Sequence, residues 1–223
     1  GKVTGTSTAF VKIGSGKLTA GAGWDNTGSV KVAEGELCLT SGNVIGTGAV
    51  TVDKDARLSG VTGTTALTNS SFTINGELVV GAFANATSGK INFGGKDVTI
   101  SSTGKYVVGK GSYSNTTIEN VNTLTINGTI EVVLASSYTP KDGDVLTLWT
   151  ANHFAGTPNY VLPNLPLGMA WDMSKISEGK LTIVSDPTAI GVVPFGAKYG
   201  HNDIYDLKGQ LVRKNATSTE GLP

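Results

Sequence analysis

Charge, cysteine and long apolar runs are all scarce in this chain, and each scarcity excludes something. Only 15% of the 223 residues are charged, 17 basic against 17 acidic, so the formal net charge is zero. No net field draws a phosphate backbone or an anionic membrane surface, and a nucleic-acid partner is not expected. Arginine occurs only as Arg57 and Arg213; the remaining basic residues are lysines set singly along the chain, the pattern of a solvated surface and not of a binding stripe. Cys38 is the one cysteine, which leaves no intrachain disulfide and no cysteine-built metal centre. No apolar run approaches the roughly 18 residues that span a bilayer, so no membrane insertion is expected of this stretch. The chain opens on Gly1 with neither Met nor a signal peptide, and reads as a piece of a larger parent protein.

What is abundant is glycine, 31 residues, set among Thr, Ser, Asn and Val, a composition of short strands and tight turns. The stretch Ser29 to Gly60 states one design twice. Ser29 to Leu39 is a pair of short alternating runs hinged at Gly35, and Ala49 to Gly60 repeats it. Extended along the chain, the first strand of each unit carries Val11 and Ile13, Val30 and Val32, Val50 and Val52, Phe72 and Ile74, Val98 and Ile100, then Leu124 and Ile126, at steps of 19, 20, 22, 26 and 26 residues. A second strand follows each time, marked by Leu18, Leu37 with Leu39, Leu58, Leu78 with Val80, Tyr106 with Val108, and Ile130 with Val132. Asn75-Gly76 and Asn127-Gly128 are expected to supply positive backbone angles at the turns.

A unit this small has one apolar face per strand and buries it only by stacking on a copy of itself. Period-two alternation then points the Val, Ile and Leu side chains inward and Lys12, Lys31, Thr51, Thr73, Thr99 and Thr125 outward. Six such coils at about 4.8 Å each give a stack on the order of 25–30 Å. The growing step is expected to sit in turns at 81–90 and 109–119, the natural places for a binding surface. The competing architecture is an antiparallel sandwich with hairpins at the two Asn-Gly pairs, but a sandwich has no reason to reuse one phrase six times.

The phrase Gly-x-Leu-x-Leu-x-x-Gly from Gly35 to Gly42, followed by Thr47 to Val52 and Leu58-Ser59-Gly60, resembles the autotransporter-associated β-strand repeat of bacterial surface passenger domains. Asp142 to Trp149, Phe154-Ala155-Gly156, Leu162 to Asp172 and Gly179 to Ile183 resemble the segment that closes such arrays. The resemblance implies a right-handed parallel β-helix on an exported, surface-associated protein, with adhesion or display as its role. Ile204-Tyr205-Asp206-Leu207-Lys208-Gly209-Gln210-Leu211-Val212 resembles a phrase in the C-terminal sorting region of secreted Bacteroidetes proteins. The Gly-x-Tyr strand and basic end that would follow it are absent before Pro223.

Parallel β-helices include polysaccharide lyases and hydrolases, whose chemistry needs converging carboxylates, with calcium and a base in the lyases. Asp53 and Asp55, with Arg57 beyond, are the nearest approach, yet the equivalent positions of other units hold Ala33 and Gly35, Asn75 and Glu77, Ser101 and Thr103. Asp53-Lys54-Asp55 therefore reads as a solvated turn. Asp142-Gly143-Asp144 is not continued by the ligand series of a calcium loop and reads as a turn before a strand. His153 and His201 have no sequence-level partner. Ser102 with Lys105 and Ser177 with Lys180 match a Ser-x-x-Lys spacing that works only on a helix, and both fall between strands. The Asn-x-Ser/Thr triplets at Asn69, Asn85, Asn115, Asn127 and Asn215 follow from composition. Trp149 and Trp171 are expected to plug the end of the stack. Trp24 and Tyr113 sit in turns, where an aromatic either stacks on a ligand such as a sugar or is buried by the next coil.

These readings give an all-β fold: a right-handed parallel β-helix over residues 1–135, a β-rich closing cap over 136–184 and a small β appendage over 185–223. The expected function is a non-enzymatic, adhesin-like module, extracellular or at the outer-membrane cell surface, with no cofactor or metal. Its candidate ligand-facing residues are Trp24 and Tyr113, and its expected partner is a host-matrix protein or a glycan. The alternatives are the non-catalytic end of a polysaccharide-degrading enzyme and a pure structural stalk.

Overall fold

The structure, a computed structural model, describes residues 3–21, 23–40, 42, 44–81, 89–112, 114–186, 204–205 and 211–213. The chain divides into two compact units, Gly1–Ala189 and Ile190–Pro223.

The first unit is a parallel β-solenoid. One seven-stranded sheet takes the leading strand of every coil, in the order β1 (Phe10–Lys12), β3 (Val30–Val32), β5 (Val50–Val52), β7 (Ser71–Ile74), β9 (Gly89–Ile100), β11 (Thr116–Ile126) and β14 (Trp149–Ala155). The facing sheet takes the following strands: β2 (Lys17–Thr19), β4 (Glu36–Leu39), β6 (Arg57–Gly60), β8 (Glu77–Val80), β10 (Lys105–Lys110), β12 (Thr129–Leu134) and β15 (Asn159–Val161). Every pairing within these two sheets is parallel. Hairpins at the Asn-Gly pairs are thereby excluded.

Stacking in register turns each repeated residue into a column. On the second sheet Leu18, Leu37, Leu58, Leu78, Tyr106, Ile130 and Tyr160 lie one above another. Leu37, Leu58, Leu78, Tyr106 and Ile130 are fully buried, each such side chain worth about 1.5–3 kcal/mol of transfer free energy. Tyr106 joins this apolar column because its hydroxyl donates to the Leu148 carbonyl at 2.6 Å. On the first sheet Val30, Val50, Phe72, Val98 and Leu124 form one buried column and Val32, Val52, Ile74, Ile100 and Ile126 another. Thr51, Thr73, Thr99 and Thr125 are half-buried on the outer face and Lys31 is exposed there, as the alternation requires.

The expectation fails in the first coil. Phe10, not Val11, pairs with Val30, and Lys12 pairs with Val32. A shift of one residue reverses every side chain of a strand, so Val11 and Ile13 are 48% and 70% exposed while Lys12 is only 8% exposed. The Lys12 ammonium is satisfied by the carbonyls of Ile13, Gly14 and Glu34 at 3.0, 2.5 and 3.0 Å.

Three further expectations are revised. Neither Asn75-Gly76 nor Asn127-Gly128 has a positive φ; between the two strands of the first three coils it is Gly14, Gly35 and Asp55 that are left-handed, at φ 75, 67 and 68. Gly76 and Gly128 are required by close approach instead, since a Cβ on either would lie 2.2 and 2.0 Å from the carbonyl oxygens of Ala56 and Gly104 below. Growth of the coil is not confined to loops. β9 and β11 lengthen to 12 and 11 residues, and Lys90 and Glu119 lie within these paired strands, bridged at 2.9 Å. Lastly, the sheets continue past residue 135, because β14 and β15 each add a seventh strand.

The closing segment contributes more than these two strands. β13 (Val145–Thr147), β17 (Lys180–Ser185) and β16 (Met169–Asp172) form an antiparallel three-stranded sheet, and Leu146, Leu148, Trp149 and Leu181 join the solenoid's buried cluster. Trp149 stacks on Phe154 with centroids 4.7 Å apart, and the Trp171 indole donates to the Pro163 carbonyl at 2.9 Å. In the second unit the described residues form one antiparallel pair, β18 (Ile204–Tyr205) with β19 (Leu211–Arg213).

Candidate functional site

The most organised polar feature lies where the chain enters each strand of the second sheet. The residue before the first buried leucine of a coil points outward, and parallel register stacks these residues: Lys17 beside Glu36, Glu36 beside Arg57, Arg57 beside Glu77, Glu77 beside Lys105. Their charges alternate, and the contacts follow. Lys17 Nζ reaches Glu36 Oε1 at 3.1 Å, Arg57 reaches Glu77 at 2.6 Å and Glu36 at 3.8 Å, and Lys105 reaches Glu77 at 2.9 Å and Glu131 at 3.1 Å. The Ser59 hydroxyl adds a bond to Glu36 at 2.5 Å. An open groove of about 500 Å³ runs along this ladder, lined by Glu36, Lys54, Arg57, Glu77, Thr103 and Lys105 among others.

The ladder sets its own protonation. Partial burial pushes the Glu36 carboxyl up, but the hydrogen bond from Ser59 and the contacts from Lys17 and Arg57 outweigh it and hold the group below its ordinary 4.5. Glu77 is likewise held low against partial burial by Lys105 and Arg57. The bond to Glu77 raises Lys105, and the bond to Glu36 raises Lys17. The shifts of Glu36 and Glu77 downward and of Lys17 and Lys105 upward both favour the charged forms, and the face presents paired charge instead of a field of one sign.

A pH dependence follows. Groups whose folded pKa lies below the unfolded value stabilise fully above that value, and the contribution fades as pH falls through it toward the folded pKa. The urea midpoint is expected to hold steady from neutrality to about pH 5 and to decline below it, through the ordinary glutamate range. The double variant Glu36→Gln/Glu77→Gln should flatten that decline without abolishing it, because Asp97 and Asp172 are also held low, by hydrogen bonds from Asn122 and Ser174. Urea titrations at pH 3.5 to 7 test this; an unchanged acid slope in the double variant would reject the ladder as its source.

The residues singled out from sequence are not brought together. Trp24 is 4% exposed and packs against Phe10 with centroids 4.8 Å apart, so the coil buries it and it is not offered to a ligand. Tyr113 lies outside the described residues, as does His201. Asp53 pairs with Lys31 at 2.9 Å, Asp55 sits in the exposed turn, and Arg57 turns to the ladder. Asp144 accepts from Tyr138 Oη at 2.5 Å and the Lys141 amide at 3.0 Å, and Asp142 accepts from the Ser185 amide at 2.6 Å, so both brace the turn before β13. His153 is exposed on β14 opposite Thr123. Lys105 belongs to the ladder, and Lys180 lies 3.4 Å from Glu178. Asn69 is fully buried, its amide donating to the Gly48 carbonyl at 2.8 Å, which removes it as a modification site.

Among the described residues no group of three or more His, Cys, Asp or Glu is placed to hold a metal ion, and no helix is long and apolar enough to cross a membrane. No protein-family model, no curated protein and no solved structure matches this chain.

Proposed function

We propose that this chain is a non-enzymatic display module of an exported bacterial surface protein, adhesin-like in role, secreted or held at the cell surface. The observation that carries the reading is the coil-to-coil pairing of the outward charges. A face that neutralises itself strand by strand is built to keep coils in register, and function on such a scaffold is carried by what the coils display. A host-matrix protein or a glycan is the partner this reading calls for. The same ladder favours, as a second reading, a stalk that holds other domains away from a surface and has no ligand of its own.

The test is a binding screen of the chain against host-matrix proteins and mucosal and plant glycans, with Val52→Asp as the unfolded control. A saturable protein ligand lost in the control supports adhesion. Glycan-only binding moves the chain to the accessory end of a polysaccharide-degrading enzyme. Silence across the panel rejects the adhesin reading in favour of the stalk.

A further inference from the structure

Two Asn-Gly pairs stand at the corner between the sheets, Asn75-Gly76 after β7 and Asn127-Gly128 after β11, and the stack itself dictates their glycines. A Cβ on Gly76 would lie 2.2 Å from the Ala56 oxygen, and one on Gly128 2.0 Å from the Gly104 oxygen, so a bulkier residue after either asparagine forces the coils apart. The same bareness matters for covalent chemistry. The nucleophile best placed to attack an asparagine side chain is the amide nitrogen of the next residue, and a glycine leaves that approach unhindered. At both pairs the flanking amides are held: Asn75 N to Val52 O at 2.8 Å and Glu77 N to Ala56 O at 2.9 Å, Asn127 N to Ile100 O at 2.9 Å and Thr129 N to Gly104 O at 3.0 Å. The two glycine amides between them donate to no acceptor among the described residues, so no hydrogen bond is lost when that nitrogen turns. The pairs differ in the asparagine. Bringing the glycine nitrogen to the side chain requires rotation about the Asn Cα–C bond, which carries the Asn carbonyl with it. The Asn75 carbonyl is pinned by the Thr103 hydroxyl at 2.9 Å, and Asn75 is half-buried. The Asn127 carbonyl accepts no bond among the described residues, and Asn127 is exposed.

We propose that Asn127 is a site of spontaneous covalent modification, converted to isoaspartate through a succinimide formed with Gly128. The Gly128 nitrogen attacks Cγ of Asn127 and closes a five-membered ring. The Cγ–Nδ2 bond breaks, and ammonia leaves with the proton that the Gly128 amide gives up. Water then opens the ring at one of its two carbonyls. Opening at Cγ restores an ordinary backbone with an aspartate side chain. Opening at the main-chain carbonyl leaves Gly128 attached through Cγ and adds a methylene to the main chain. This second product does not fit the corner. The extra length falls between the bonds from Asn127 N to Ile100 O and from Thr129 N to Gly104 O, which tie β11 and β12 to the coil below, and it moves the Gly128 carbonyl that accepts from the Asn159 amide at 2.9 Å. One modified residue thereby loosens its coil from both neighbours, the contacts on which a solenoid depends.

The experiment ages the full chain at mildly alkaline pH, folded and in urea, and follows Asn127 and Asn75 by peptide mapping with mass spectrometry and enzymatic methylation of isoaspartyl carboxylates. In urea the two pairs should react at similar rates. In the folded chain Asn127 should react several-fold faster than Asn75. An Asn127 that stays intact in the folded chain, or that reacts there no faster than Asn75, overturns the proposal. Two variants isolate the effect on the corner. Asn127→Asp carries the new charge on an ordinary backbone and should keep the parent's urea midpoint. Asn127→Gln, aged alongside the parent, should keep its own. The aged parent should gain a population that unfolds at lower urea, in proportion to its isoaspartate at position 127; an unchanged midpoint in a chain so modified would show that the corner tolerates the longer backbone and would reject the proposed loosening.

Discussion

Val52→Asp is expected to unfold the middle of the solenoid, whereas Thr51→Asp, one residue away, is expected to be nearly silent. Val52 is fully buried between Val32 below and Ile74 above, so a carboxylate there meets aliphatic side chains on both sides and no cation. An unpaired buried charge costs several kcal/mol even after relaxation, and the lost valine contacts add to this. A loss of about 4 kcal/mol or more is expected, a large share of the roughly 5–15 kcal/mol that holds a typical domain together. The damage also propagates, since each coil is stabilised mainly by its two neighbours. Thr51 is only half-buried on the outer face, and its register partner is Lys31. An aspartate at that position gains an opposite charge across the strand pair, worth about 0.2–1 kcal/mol, against a small loss of β propensity. Urea unfolding followed by circular dichroism measures both. Equal midpoints for the two variants would show that the inward and outward faces are assigned wrongly.

Most of the scaffold was legible because parallel stacking repeats one decision many times. Leu18, Leu37, Leu58, Leu78, Tyr106 and Ile130 were aligned from sequence and are true Cα partners, as are Val30, Val50, Phe72, Val98 and Leu124. The first coil was not legible. Phe10-Val11-Lys12-Ile13 offers an apolar residue on either face, so hydrophobicity alone favours burying Val11 and Ile13. The outcome turns on whether a lysine ammonium can reach three carbonyls, a fact of the folded turn and not of the pattern. The seventh rung escaped for a related reason. Trp149–Ala155 and Asn159–Val161 follow the sixth coil by a step of 30 residues, from Leu124 to Phe154 and from Ile130 to Tyr160.

The ladder is written in the columns of the sequence and not along its length. Reading the residue just before each inward Leu or Tyr gives Lys17, Glu36, Arg57, Glu77 and Lys105, a strict alternation that single-residue charge counting dissolves into scattered surface lysines. Parallel register makes those residues neighbours, so the signal lies in the columns of the repeat and not along the chain. Trp24 is the position where the sequence leaves two outcomes open. A turn aromatic in a polar stretch is formally either displayed or buried, and here its bridge to Ile45 and the face of Phe10 decide for burial.

Glycine substitutions along a single column should separate close approach from backbone strain, with a large contrast between chemically identical changes. The carbonyls of Gly16, Gly35, Ala56, Gly76, Gly104 and Gly128 each accept the first amide of the next coil's second strand, at 3.2, 2.8, 2.9, 2.8, 3.0 and 2.9 Å. They form one stack at the corner between the two sheets. Neither Gly16 nor Gly128 has a positive φ, so an alanine is conformationally acceptable at both and should slightly reduce the entropy of the unfolded chain. The difference is what lies beneath. A Cβ on Gly16 meets nothing within 4 Å, whereas on Gly128 it would lie 2.0 Å from the Gly104 oxygen and 2.4 Å from the Ser101 oxygen. Those oxygens are backbone and cannot swing aside like a side chain, so the coils must part. Parting them loosens the bonds from Thr129 N to Gly104 O and from Asn159 N to Gly128 O. Gly16→Ala is therefore expected to be neutral or stabilising by up to about 1 kcal/mol, and Gly128→Ala to cost about 2–4 kcal/mol, the range of overpacking with added hydrogen-bond loss. Gly143→Ala completes the set. Its site is equally open, but its φ is 82°, so it should cost about 1–2 kcal/mol through backbone strain alone. Urea midpoints in the order Gly16→Ala, Gly143→Ala, Gly128→Ala, from most to least stable, are the expected result. A Gly128→Ala midpoint equal to that of Gly16→Ala would mean that the coils are not stacked at this corner as described.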